Sequence, residues 1–444
     1  MLKLFLWLRY LRKKKIVFLS IAAVAVSVSL LIVVASLFSG FISAFEHSIV
    51  DAVGDVVIDP PFVISNYDNL IEELEQASCI KGATASIWGY GLLLVGKGNV
   101  RAVQVMGIEP QRRSRVMGFD EFLLTHKYPS VPDSNKVTAT PDEIQGYVGI
   151  GILTNPDEKT DEYNIEEARK MLGEEVKLTT GALSGGNSAT DFQRQLTTFT
   201  ISDVVETGFY DFDSQFIYLP IEKLSKIMYP DEKLPVTENI QIKLAQDTDP
   251  EVAKAIIRGI WQNFVREYYD SNTSLLNRTI IETSLERQGP IIAAYKQQMN
   301  VLLVIFGVVS FGVVILIFCI FSLIVRLKQK DIAVIKSCGT TSGSVAWIFV
   351  GFGACVGIVG SGFGIIFGFI ITKNINTIEQ WIRIIFGLKL WKSSVYLFTK
   401  IPNQVDWYLA LQIVLFAVAS AIVGALIPAF IAARTKPVEI LRYE

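Results

Sequence analysis

The chain reads as a membrane protein with four transmembrane α-helices and a large α+β extracytoplasmic domain between the first and second. Composition gives the first indication: 51% of the 444 residues are hydrophobic and 19% charged, with mean hydropathy +0.40. That is too apolar for an ordinary soluble protein and too charged for one lying wholly in lipid. The second is concentration of the apolar residues into four uncharged runs, Ile16–Ile42, Val301–Val325, Val345–Thr372 and Leu409–Ala433. Each reaches the roughly 20 residues that a helix needs to cross about 30 Å of hydrocarbon. The third is the stretch of about 250 mixed-polarity residues between the first two runs, which is domain-sized.

These runs divide the chain into three parts. Residues 1–45 hold a basic tail and the first span, residues 46–289 the outer domain, and residues 290–444 a second membrane part with helices at 301–325, 345–372 and 409–433. The tail carries Lys3, Arg9, Arg12, Lys13, Lys14 and Lys15 without an acid, and basic flanks stay in the cytoplasm. Both termini and the Arg326–Ser344 loop are then cytoplasmic, and the large domain is outside. The first apolar run is far longer than a signal-peptide core and no clear A-x-A site follows it, which predicts an uncleaved anchor. By subtraction the cytoplasmic pieces carry about +10, the short outer segment Lys373–Tyr408 about +3, and Ser43–Asn300 about −15. So acidic a domain is a poor binder of nucleic acid or of an anionic membrane surface.

Within the outer domain, Asp51–Asp59 (DAVGDVVID) alternates and predicts a strand. Tyr67–Ala77 places Leu70, Ile71 and Leu74 at helical spacing. GLLLVGKGNVRAVQVMGI predicts a hairpin turning at Gly96–Asn99. A helix over Ile165–Leu172 precedes two strands, EEVKLTT and QLTTFTISDVV, joined across GALSGGNSATDFQR. Ile221–Met228 and Pro250–Tyr268 are predicted helices with the strand NIQIKLA between them. Pro290 suits the first turn of a helix, where its missing N–H costs nothing, so one helix can run unbroken into the second span as a stiff stalk.

No catalytic constellation is present in this pattern. Gly91–Gly98 has the Gly-x4-Gly-Lys spacing of a phosphate loop, but Gly98 stands where a magnesium-ligating Ser or Thr belongs. His47 and His126 are far apart, with no second ligand at metal spacing. The acids Glu72, Glu73, Asp211 and Asp213 have no nucleophile or base spaced near them. Cys79 stands alone outside the membrane, so no disulfide forms in the outer domain. The spans contain no Asp, Glu, Lys, Arg or His, which argues against an ion-coupled transporter. The third is instead rich in glycine, at 351, 353, 357, 360, 362, 364 and 368. Such stripes allow close helix packing, within one chain or between subunits.

The loop between the second and third spans holds a short helix of its own, over residues 328–339. Asp331 is placed to cap its start and Gly339 to stop it in the left-handed conformation. Ile332 and Ile335 share one face, with Val334 beside them and lysines around. An amphipathic helix on lipid headgroups and a docking helix for a cytoplasmic protein both fit this pattern.

RLKQKDIAVIKSCGTTSGSVAWIFVGFGACVGIVGSGFGIIFGFII resembles the corresponding segment of the FtsX/MacB-type (type VII) ABC permeases. Within that group the likeness is greatest to the lipoprotein-releasing (Lol) permease subunits. It extends through LRYLRKKK, LFSGF, VQVMGIEPQ, FTISDVVETGFYDFDSQFIYLPIEKLSKI, VYLFTKIPNQVDW and IPAFIAARTKPVEILRYE. The resemblance implies a MacB-like periplasmic core domain and a permease that dimerises, as a homodimer or heterodimer, in the bacterial inner membrane. It also implies a separate cytoplasmic ATPase subunit holding ATP and magnesium, so that this chain takes no cofactor and is not itself an enzyme. Lipoproteins are then extracted from the outer leaflet and passed to a periplasmic carrier. The coupling helix implied is Lys330, Asp331, Ile332, Ala333, Ile335, Lys336 and Gly339. The loop implied to meet the carrier is Gly181–Arg194, with Leu183, Phe192 and Arg194 as candidate contacts. It carries fewer apolar residues than the family's protruding loop, which sets carrier docking by this chain in question. A MacB-like efflux system and an FtsX-like regulator of a cell-wall hydrolase are the alternatives within the same family.

Overall fold

A computed structural model describes residues 15–434 apart from 97, 130–142, 158, 159, 161, 185–190, 328, 388, 397 and 399. The basic tail and the extreme C-terminus of the sequence reading lie outside the described residues. The chain divides into two compact units, one of residues 1–44, 291–382 and 401–444, the other of residues 45–290 and 383–400.

The first unit is built on four long helices: α1 (Lys15–Val53), α7 (Gly289–Leu327), α9 (Ser342–Lys373) and α11 (Trp407–Arg434). Among the described residues, Val17–Ser48, Ser342–Lys373 and Trp407–Arg434 are long and apolar enough to cross a membrane, and Val314–Leu327 is a shorter apolar stretch. Helices suit this composition because they satisfy every backbone N–H and C=O internally, which hydrocarbon cannot do. α7 is unbroken for 39 residues, about 58 Å at 1.5 Å per residue, nearly twice the thickness of the hydrocarbon.

Glycine sets how closely these helices approach, and it does so within the chain. A Cβ added at Gly353 or Gly357 would lie 2.5 or 2.9 Å from Cβ of Ala425 or Ala421 on α11. One added at Gly360, Gly364 or Gly368 would lie 2.8, 2.7 or 3.1 Å from Cβ of Val24, Val28 or Ile32 on α1. The stripe therefore splits into two i, i+4 series, one for each neighbouring span. Gly362 faces open space.

The second unit mixes helices with nine described strands, whose order is β3-β7-β4-β6-β5-β2-β8-β1-β9 with a further β3–β2 pairing. They are β1 (Val56–Asp59), β2 (Ile80–Val95), β3 (Asn99–Ile108), β4 (Gln145–Gly149), β5 (Glu175–Ser184), β6 (Asp191–Val205), β7 (Phe216–Pro220), β8 (Asn239–Leu244) and β9 (Ile280–Thr283). The long β2 serves two neighbourhoods. Its first half pairs with β8, while its second half pairs with β3 and β5. Pairings β3–β7, β7–β4, β4–β6 and β6–β5 then close a circuit that begins and ends on β2.

Among the helices here are α2 (Tyr67–Glu75), α3 (Pro110–Met117), α4 (Tyr210–Gln215), α5 (Ile221–Met228) and α6 (Pro250–Tyr268), and the predicted Ile165–Leu172 helix is present over Ile165–Lys170. α2 buries Leu70, Ile71 and Leu74, each contributing roughly 1.5–3 kcal/mol on leaving water. Asp249 caps α6, its carboxylate accepting the Glu251 N–H at 2.9 Å, and Pro250 fills the first turn. Ala253, Ile257, Trp261, Phe264 and Val265 form the buried stripe of α6.

Two expectations are corrected. Asp51–Val53 continue α1 rather than opening a strand, because Ile49, Val50 and Val53 sustain the helical apolar pattern. Gly54, at φ +90°, ends the helix, and pairing starts only at Val56. GALSGGNSATDFQR is not a loop throughout, since pairing runs out to Ser184 opposite Asp191. The outer segment Lys373–Tyr408, for which the sequence suggests no element, is structured. It contains helix α10 (Ile375–Phe386), and its residues 383–400 belong to the second unit. There Phe398 bridges Phe209, with ring centroids 5.4 Å apart.

Candidate coupling site

The short helix of the Arg326–Ser344 loop is present as α8 (Gln329–Ser337). It begins two residues before Asp331, so Asp331 lies in the first turn and not at the cap. The end is as the sequence predicts: Gly339 adopts φ +91° and its N–H bonds the Lys336 carbonyl at 3.0 Å. Thr341 then caps α9, its Oγ1 accepting the Ser344 N–H at 3.3 Å.

α8 has two faces with different uses. Ile332 and Ala333 are buried, Ile332 packing with Val325, Val345 and Ala432 from the ends of the neighbouring spans. Lys336 Nζ donates to the Ala433 carbonyl at 2.8 Å, satisfying one of the four carbonyls that the C-terminus of a helix leaves without an intrahelical partner. The opposite face presents Lys330, Val334 and Ser337, at i, i+4 and i+7, and all three are exposed. Ile332 is therefore not an outward knob, a correction that follows from its burial against the chain's own helices. The side chains of Asp331 and Ile335 lie outside the described residues. What this arrangement offers is a small mixed apolar and basic face, fixed to the ends of three long helices.

In the second unit, the candidate carrier contacts fall on the β5–β6 hairpin. Leu183 stands opposite Phe192 and Gly181 opposite Arg194. Arg194 is exposed, and the side chains of Leu183 and Phe192 lie outside the described residues. β2 pairs with β5 only over Lys177–Thr180, so from Gly181 onward the hairpin is a two-stranded ribbon.

Strong electrostatic perturbation lies elsewhere in this unit. Arg113 of α3 is buried and its Nη1 donates to Gln241 Oε1 at 2.8 Å. Burial pulls its pKa down to about 10, which leaves it charged at neutral pH. Asp213 of α4 is fully buried, and burial pushes it up to about 6. Its carboxylate accepts the Thr207 and Gly208 N–H groups at 2.6 and 2.9 Å, holding the turn that precedes Phe209. Among the described residues no group of three or more His, Cys, Asp or Glu forms a metal site.

Residues 17–260 match the model of the MacB-like periplasmic core domain. The chain belongs to that family. Residues 303–437 match the FtsX-like permease C-terminal model, so this MacB-like chain is a transmembrane permease of the ABC transporter type. It is 26% identical to the lipoprotein-releasing system transmembrane protein LolC of Neisseria meningitidis, over 100% of this chain and 99% of that one. It is 24% identical to the LolE protein of Haemophilus influenzae, over 95% of this chain and 93% of that one. The periplasmic region of MacB from Actinobacillus actinomycetemcomitans covers 55% of this chain and 95% of its own length, at 16% identity and a TM-score of 0.31.

Proposed function

We propose that this MacB-like permease is the transmembrane subunit of an ATP-driven lipoprotein-releasing complex of the bacterial inner membrane. The observation that carries the reading is similarity over the full length to LolC, with neither chain leaving a domain unmatched. Four spans, with α7 supplying the second, put both termini and α8 in the cytoplasm and the 46–289 domain in the periplasm, following the basic N-terminal tail. The chain takes no cofactor. ATP and magnesium reside in a partner ATPase, which docks on the Lys330, Val334 and Ser337 face of α8. ATP-driven closure of two such ATPases moves the α8 helices of a permease dimer, and the long α7 conveys that motion outward. Lipoprotein is thereby drawn from the outer leaflet and handed to a carrier at the β5–β6 ribbon.

The test is purification of the full chain in detergent with a non-hydrolysable ATP analogue, followed by identification of what copurifies. An ATPase together with a lipidated protein is expected. A cell-wall hydrolase or a membrane-fusion protein in place of any lipoprotein overturns the reading.

A further inference from the structure

α10 carries its polarity the wrong way round for a helix of a water-soluble surface. On its polar side, the Asn376 side chain makes two hydrogen bonds to the Ile401 backbone, Nδ2 to O at 3.0 Å and Oδ1 from N at 2.9 Å. On the same side, Arg383 Nη1 donates to the Thr160 carbonyl at 3.2 Å. Ile375, Ile378, Trp381, Ile382, Ile385 and Phe386 line the other side at helical spacing. Trp381, Ile385 and Phe386 are 65%, 67% and 68% exposed, and no residue of the helix is buried. An amphipathic helix of a soluble protein turns its apolar stripe to the core and its polar face to water. Here polar groups grip the protein, while Trp381, Ile385 and Phe386 stand uncovered beside the half-buried Ile375, Ile378 and Ile382.

What covers that side is indicated by where the helix starts. α9 ends at Lys373 and α10 begins at Ile375, so chain continuity places α10 at the edge of the hydrocarbon layer that α9 has just crossed. Interfacial residues mark the same level. Phe369 of α9 stacks on Trp407 of α11 with centroids 5.7 Å apart, and Trp407 and Tyr408 are 62% and 72% exposed. Trp and Tyr concentrate where headgroups meet acyl chains. Lys373, exposed two residues before the helix, supplies charge that anionic headgroups attract.

We propose that Ile375–Phe386 is an interfacial membrane helix, lying along the bilayer surface at the Lys373 end of α9 with Trp381, Ile385 and Phe386 among the upper acyl chains. It is a second, in-plane membrane attachment in addition to the spans. The inference is independent of which cargo the permease handles.

The full chain, with its native cysteines replaced, is reconstituted in phosphatidylcholine–phosphatidylglycerol vesicles and spin-labelled singly at Trp381→Cys, Ile385→Cys or Gln380→Cys. Collision with oxygen, which partitions into lipid, is expected to exceed collision with a water-soluble nickel chelate at positions 381 and 385. The order is expected to reverse at 380, on the opposite side. Nickel access at all three positions overturns the proposal, because the apolar side is then in water. Shielding of 381 and 385 from both reagents also overturns it, because a protein then covers them. The unlabelled chain supplies a second measurement should the cysteine variants misfold. Brominated lipid quenches its tryptophan emission, and Trp381→Phe is expected to reduce the quenched fraction. An unchanged fraction counts against the proposal.

Discussion

Adding one carbon at Gly364 tests whether the glycine stripe sets the distance between α9 and α1. In Gly364→Ala the new Cβ would lie 2.7 Å from Cβ and Cγ1 of Val28 and 3.0 Å from the Ala25 carbonyl oxygen. Carbon atoms in contact prefer about 3.5–4.0 Å, so the helices must separate by roughly 1 Å or Val28 must leave its rotamer. Over-packing of this size costs about 1–3 kcal/mol. Gly362→Ala is the matched control, on the same helix but facing open space, with the same gain in helix propensity. The assay is thermal unfolding of the full chain in detergent, followed by a thiol-reactive dye at the half-buried Cys79 and Cys355, with the exposed Cys319 and Cys338 replaced. Gly364→Ala is expected to melt roughly 2–12 °C below Gly362→Ala, at about 2–4 °C per kcal/mol. Equal melting temperatures would falsify the claim that Gly364 governs close approach within the chain.

Other expected outcomes follow from α8 and from the buried charges. Val334→Asp is expected to abolish copurification of the ATPase while leaving the melting temperature unchanged. Ile332→Asp, which forces a carboxylate into the contact with Val325, Val345 and Ala432, is expected to destabilise the chain by several kcal/mol; a stable Ile332→Asp chain refutes the assigned inward face. Asp213 rises from an ordinary 3.8 to about 6 in the folded chain, so between those pH values the folded state holds more protons than the unfolded. Its contribution to stability therefore falls as pH rises from about 4 to 6, by about 3 kcal/mol at 1.36 kcal/mol per unit. Asp213→Asn should remove that slope from the pH dependence of the melting temperature. Arg113→Ala leaves Gln241 Oε1 without its buried donor and is expected to cost about 2–4 kcal/mol, read in the same melt.

Local pattern was sufficient wherever an element's own residues decide its state. α5 and α6 coincide with their predicted bounds because each carries an apolar stripe, which in α6 the Asp249 cap and Pro250 reinforce. Gly96 and Gly98 likewise turn the β2–β3 hairpin with positive φ. Sequence is silent where the partner is remote. Nothing local in Phe398 announces its bridge to Phe209, and nothing in β2 announces that its two halves serve different neighbours. The inward turn of Ile332 has the same origin. An amphipathic pattern reports that one face avoids water, and it does not say whether the cover is another protein, lipid or the chain's own helices.

The Lys336 bond to the Ala433 carbonyl has a mechanical consequence. Because Ile332 is wedged against Val325 and Val345 as well, α8 is riveted at once to the ends of three spans. Under the proposed function, a push delivered at Val334 would reach those helix ends through packed side chains. Lys336→Met would loosen one rivet, and, if the proposed ATPase docks on α8, the loss is expected as wasted ATP turnover rather than as weaker ATPase binding.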